Sequence, residues 1–155
     1  TDLSEPARHA VRYACSMGSQ YAADVQVLHV VPDLADVYAS ETGIRLKGGN
    51  GDGQPGGLNQ QAVDDAMQRI QERIRETASG VVDEIPHCPL AADKILVKVG
   101  DPAQKIVETA TSGNYDLVIM GTHGHSKLDD LMLGSVARDV VHACPVPVLT
   151  VRLPG

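Results

Sequence analysis

At 155 residues the chain suits one domain with a sizeable core. Hydrophobic residues make up 43% and aromatic residues 3%, with no Trp or Phe, so the core is aliphatic and lacks the stacking platforms that bind single-stranded nucleic acid. A net charge of −7 without a Lys or Arg run argues against a nucleic-acid partner, and no stretch approaches the ~20 apolar residues of a membrane-spanning helix.

In chain order, Thr1-Asp2-Leu3-Ser4-Glu5-Pro6 reads as the exit of a strand into a helix. Ser4 is the expected N-cap, with Glu5 and Pro6 in the favoured first turn. Ala7, Ala10, Val11 and Ala14 then share one helical face, ending near Gly18. Position 1 is not Met, so further residues are expected upstream of Thr1. Val25 to Val31 is rich in β-branched residues and bounded by Pro32-Asp33, which predicts a buried strand. His29 within it reads as a packed core histidine.

From about 33 to 59 the periodicity dissolves into a flexible insertion, glycine-rich from Lys47 to Gly57. No strand precedes that tract and no Lys-Ser/Thr follows it, so it is not a Walker A loop. Val63, Ala66, Met67, Ile70, Ile74 and Ala78 keep the 3.6-residue period of an amphipathic helix. Either a short strand near 81–85 or a fraying helix follows. Ile95 to Val99 reads as a strand, with Asp101 as N-cap and Pro102 opening a helix that turns Ile106, Val107 and Ala110 inward and stops at Gly113.

The most informative stretch comes next. Leu117 to Met120 reads as a buried strand that stops at Gly121. Gly124 follows, then nine residues, then Gly134 and Ser135 opening a helix with Val136, Val140 and Val141. Glycine lets a backbone approach a ligand closely, and a helix N-terminus offers unpaired N–H groups and a positive dipole end to phosphate. The helix stops near Cys144-Pro145, and Val146 to Val151 is a last strand, placed at a sheet edge because Pro147 has no N–H. Strands alternating with helices predict a parallel sheet covered on both faces. Its ligand site lies beyond the carboxyl ends of the strands.

Cys15, Cys88 and Cys144 show no metal-ligand spacing and make an odd count, so they read as buried or idle thiols of a reducing compartment. No signal peptide is visible, and a cytoplasmic protein is expected.

The spacing Gly-x2-Gly-x9-Gly-Ser over 121–135 resembles that of ATP-binding universal stress proteins. Further matches are Thr-Asp-Leu-Ser-Glu-Pro at 1–6, Leu-His-Val-Val at 28–31, Val-Gly-Asp-Pro at 99–102, and Leu-Val-Ile-Met-Gly-Thr-His-Gly at 117–124. Leu-Gly-Ser-Val-Ala at 133–137 and Pro-Val-Pro-Val-Leu-Thr-Val at 145–151 complete the set. The resemblance implies one α/β domain over 1–155: an open, Rossmann-like parallel five-stranded sheet of order 3-2-1-4-5 with helices on both faces. The first strand, at the centre, would lie upstream of Thr1, and without it the sheet would split in two.

The resemblance also implies a regulatory adenine-nucleotide ligand, ATP or else ADP or AMP. Asp2 matches an acidic residue on the ribose side, and Val30 the position whose backbone meets the adenine edge. Met120 and Gly121 would close over the nucleoside, while Gly124, Gly134, Ser135 and Val136 match the phosphate-holding positions. His123 and His125 can bind phosphate or metal, or simply be solvated loop residues. Lys127 can neutralise phosphate charge, and Asp129 and Asp130 can hold Mg²⁺. Asp2 and Ser135 can also be plain helix caps. Homodimerisation through 146–151 is implied too. A nucleotide-free dimeric module is the main alternative. A nucleotidyltransferase fits less well, because Thr122-His123-Gly124-His125 follows a late strand instead of the first. No general base is evident, so efficient catalysis is not expected, although slow ATP hydrolysis remains compatible.

Overall fold

The computed structural model describes residues 1–31, 60–84, 87–91, 94–124 and 133–153. The elements are α1 (Glu5–Tyr21), β1 (Val27–Val31), α2 (Gln60–Glu84), β2 (Ile95–Val99), α3 (Pro102–Ser112), β3 (Val118–Gly121), α4 (Ser135–Ala143) and β4 (Val148–Val151). The insertion read at 33–59 lies outside the described residues.

Local chemistry explains the helix ends. Ser4 Oγ accepts the Ala7 N–H at 3.4 Å, and Asp101 accepts the Gln104 N–H at 2.8 Å, each followed closely by a proline. Ala22 turns left-handed at φ 52 and returns its N–H to the Gly18 carbonyl, so α1 runs past Gly18. Helix α2 also continues through Gly80 to Glu84, excluding a strand at 81–84. A helical glycine costs about 1 kcal/mol, little against the burial of Ile70 and Ile74 on the same helix. The side chains of Val63, Ala66 and Ala78 lie outside the described set.

The strands form two separate parallel pairs. Val27 to Val31 align with Ile95 to Val99, and Val118 to Gly121 with Val148 to Val151. Helices α1 and α2 pack on one side, against β3–β4 and β2 respectively. Helices α3 and α4 cover the other side, against β1–β2 and β4. These pairs are the ones an order 3-2-1-4-5 leaves on either side of its centre, and no described strand lies between them. Because β3 has an edge on the intervening cleft, its residues are half-buried, not fully buried as the apolar run suggested.

The main core joins α1, α2 and the β1–β2 pair through Cys15, Val25, Val27, Val31, Ile70, Ile74, Leu90 and Ile95. Two expectations are corrected. Val141 is 44% exposed, because the buried stripe of α4 is Ala137 and Val140 and the next residue lies about 100° around the helix. Cys15 and Cys88 are joined in a disulfide and are not idle thiols; Cys144 alone of the three is free.

Candidate nucleotide-binding site

A cleft between the two strand pairs is lined along β1 and β3 and, past their carboxyl ends, by residues 1–3, the glycine loop and the start of α4. Asp2, Val30, Met120, Gly121, His123, Gly124, Gly134, Ser135 and Val136 all line it. His125, Lys127, Asp129 and Asp130 lie outside the described residues.

Asp2 stands at one wall in a tightly bonded turn. Its Oδ1 accepts the Ser4 N–H at 3.0 Å and the Ser4 hydroxyl at 2.5 Å, while Thr1 Oγ1 accepts the Leu3 N–H at 3.1 Å. Leu3 is held at φ 66, a conformation unfavourable for a residue with a branched side chain. Such strain costs on the order of 1–3 kcal/mol and persists only where surrounding bonds enforce it. The turn delivers Asp2 to Gly124. A Cβ on Gly124 would overlap Asp2 Oδ2 and lie 3.5 Å from its Cγ, so a bare backbone is required there.

The far end of the glycine loop is anchored by Thr122. Its N–H donates to the Val151 carbonyl at 3.0 Å, and its own carbonyl accepts the Gly134 N–H at 2.8 Å. Gly134 is thereby brought beside His123 and becomes the N-cap of α4. Ser135 is the first helical residue, which corrects its alternative role as a cap. Gly134 has no side chain with which to cap this helix, and Gly134, Ser135 and Val136 bring its positive dipole end to the cleft wall. His123 Nδ1 lies 3.1 Å from Thr122 Oγ1, and its Nε2 is buried with no partner among the described residues. A buried polar atom without a partner is costly, and a ligand acceptor or donor would relieve it.

The opposite wall carries Val30 on β1 and, one residue earlier, His29. The ring of His29 lies with Nδ1 2.8 Å from the Thr1 carbonyl oxygen. Burial holds its pKa below the ordinary histidine value, partly opposed by that bond to Thr1. It therefore packs as expected, but against a cleft wall. Thr122 entered the sequence reading only as part of longer motifs, and nothing local marked its backbone as the anchor of the loop. Among the described residues no cluster of three or more His, Cys, Asp or Glu could hold a metal ion.

The model of the universal stress protein family matches residues 1–152. The chain belongs to the universal stress protein family. Among its relatives is the universal stress protein MJ0577 of Methanocaldococcus jannaschii, 28% identical over 160 residues covering 98% of this chain and 91% of that protein. The solved structure of MJ0577 superposes with a TM-score of 0.67 at 24% identity, over 100% of this chain and 93% of that one. An Archaeoglobus fulgidus universal stress protein in complex with dAMP gives a TM-score of 0.56 at 19% identity, covering 97% and 91%. A universal stress protein in complex with cAMP gives 0.55 at 21% identity, covering 99% and 93%. These superpositions establish a shared α/β fold.

Proposed function

We propose that the cleft binds an adenine nucleotide, ATP in its resting use, as a regulatory ligand in a stress response. The observation that carries this reading is the meeting of Asp2, Gly124 and the uncapped N-terminus of α4 in one cavity. Phosphates would lie at Gly124, Gly134, Ser135 and Val136, where backbone N–H groups and the helix dipole favour negative charge. The unpartnered Nε2 of His123 is a further polar contact for the same group. Asp2 would receive ribose hydroxyls, and the backbone of Val30 the adenine edge, with Met120 and Gly121 over the nucleoside. Relatives in complex with dAMP and cAMP support the adenine class. Any Mg²⁺ would come with the phosphates, since that ion is held largely by substrate oxygens and water.

The two strand pairs would belong to one five-stranded sheet of order 3-2-1-4-5 within a single domain, with the nucleotide beyond the carboxyl ends of the strands. The outer edge of β4, unpaired among the described residues, would join its counterpart in a cytoplasmic homodimer through 146–151. No described helix is long and apolar enough to cross a membrane. The ligand acts by occupancy, not by rapid turnover.

The test is acid release and chromatography of nucleotide from freshly purified protein, followed by titration with ATP, ADP, AMP and cAMP. Adenine nucleotide near one per chain, lost in Gly124→Val and reduced in Ser135→Ala, is the expected result. A protein that is empty and takes up none of the four would leave a dimeric interaction module instead.

A further inference from the structure

Cys15 and Cys88 are 73 residues apart in sequence, yet their Cα atoms lie 4.9 Å apart, inside the usual span of a disulfide. Cys15 is fully buried on α1, whereas Cys88 is half-buried in the segment 87–91 that leads toward β2. That segment is fitted to the helix. Pro89 rests over Gly18, where a Cβ would lie 2.7 Å from Pro89 Cγ and 2.6 Å from Val25 Cγ2. Leu90 enters the same core cluster as Cys15.

Helix α1 also packs on β3 and β4, and its N-terminal turn carries Asp2 into the cleft. The β1–β2 pair carries Val30 on the opposite wall. The disulfide is thus a covalent tie between the helix that positions one wall and the half of the fold that supplies the other.

We propose that Cys15 and Cys88 form a reversible dithiol–disulfide switch that sets the affinity of the cleft for adenine nucleotide, an output that rests on the nucleotide reading above. In a reducing compartment, such as the cytoplasm proposed above, a disulfide is ordinarily transient and redox-sensing. The oxidant is a hydroperoxide. The Cys88 thiolate attacks the peroxide ROOH, breaking its O–O bond and, with one proton, giving Cys88 sulfenic acid and ROH. The Cys15 thiol then attacks the Cys88 sulfur, forming the S–S bond and releasing water. Two electrons pass from the thiol pair to the peroxide. In reverse, one thiolate of a small dithiol attacks Cys88, the more accessible sulfur, and frees Cys15, which takes a proton. The second thiol of the dithiol then releases Cys88 and becomes oxidised. Cys144 takes no part.

The test uses the full chain, reduced with dithiothreitol or oxidised with hydrogen peroxide. Alkylation with iodoacetamide under denaturing conditions and mass spectrometry count thiols, and calorimetry on the folded chain measures ATP affinity. Of the 3 cysteines, all should be alkylated after reduction and only Cys144 after oxidation. The oxidised chain should bind ATP about fivefold tighter or more, a modest allosteric coupling. Cys88→Ser should bind like the reduced chain under both conditions, while Cys144→Ser should keep the difference. The reduced wild-type chain makes the same comparison if Cys88→Ser does not fold. Three alkylated thiols after peroxide, or equal affinities with the disulfide demonstrated, would overturn the switch alone. No ATP binding in either state would overturn the nucleotide reading, and the switch's output with it.

Discussion

Replacing Gly124 by Ala isolates the contact on which the cleft depends. The new Cβ would clash with Asp2 Oδ2, so the carboxylate must rotate or the loop must retreat. Rotation gives up the Asp2 bonds to the Ser4 N–H at 3.0 Å and the Ser4 hydroxyl at 2.5 Å. Hydrogen bonds to a charged group contribute about 1.5–3 kcal/mol each, and water recovers part of this because Asp2 is only half-buried. A net loss of about 2–3 kcal/mol follows, equivalent to roughly 5–10 °C in Tm for a chain of this size. The loosening of Leu3 from its strained conformation offsets a fraction of that loss. ATP affinity should fall at least about tenfold, since 1.4 kcal/mol is a factor of ten.

The assay is thermal unfolding and ATP calorimetry on a double-mutant cycle of Gly124→Ala with Asp2→Ala. In the Asp2→Ala background the carboxylate is gone, so Gly124→Ala should cost under about half as much stability. Equal costs in both backgrounds would refute the steric argument. Full ATP affinity in the single Gly124→Ala variant would refute the placement of the ligand at this loop.

Three further outcomes follow from the packing. Val140 is fully buried and Val141 is 44% exposed, so Val140→Ala should cost roughly 1.5–3 kcal/mol and Val141→Ala under about 0.5 by urea unfolding. Asp101→Ala removes the cap of α3 and should cost about 1 kcal/mol, with Asp101→Asn restoring most of it; unchanged stability would deny the cap its role. His29 has a depressed folded-state pKa, so the unfolded chain takes up a proton at a higher pH than the folded one. The native state should therefore lose stability as pH falls from just above about 6.5 toward that depressed value, and His29→Gln should flatten this part of the pH profile.

Much of the scaffold was legible because its signals are local. Ser4, Asp101 and Pro102 announced their helix starts by side-chain chemistry that acts within one turn. Ile95 to Val99 were recognisable as a strand from their apolar, β-branched run, and alternating strands and helices implied the parallel pairing seen in both strand pairs. The glycine spacing, strand end and helix start over 121–136 are likewise chain-local features, and the nine positions named for a nucleotide, some of them only through the family resemblance, line one cleft.

Tertiary structure decided what depends on separate segments arriving together. Leu3 adopts a left-handed turn because its neighbours enforce it, against the preference of its own side chain. Val141 looked as apolar as Val140, and only the placement of α4 against β4 and α3 turned it outward. The pairing of Cys15 with Cys88 had no marker in spacing or count, since it required α1 and the approach to β2 to pack within 4.9 Å between Cα atoms. Propensity and capping act over a few residues and are written along the chain. A contact between segments 73 residues apart depends on the whole core and exists only once the core has formed.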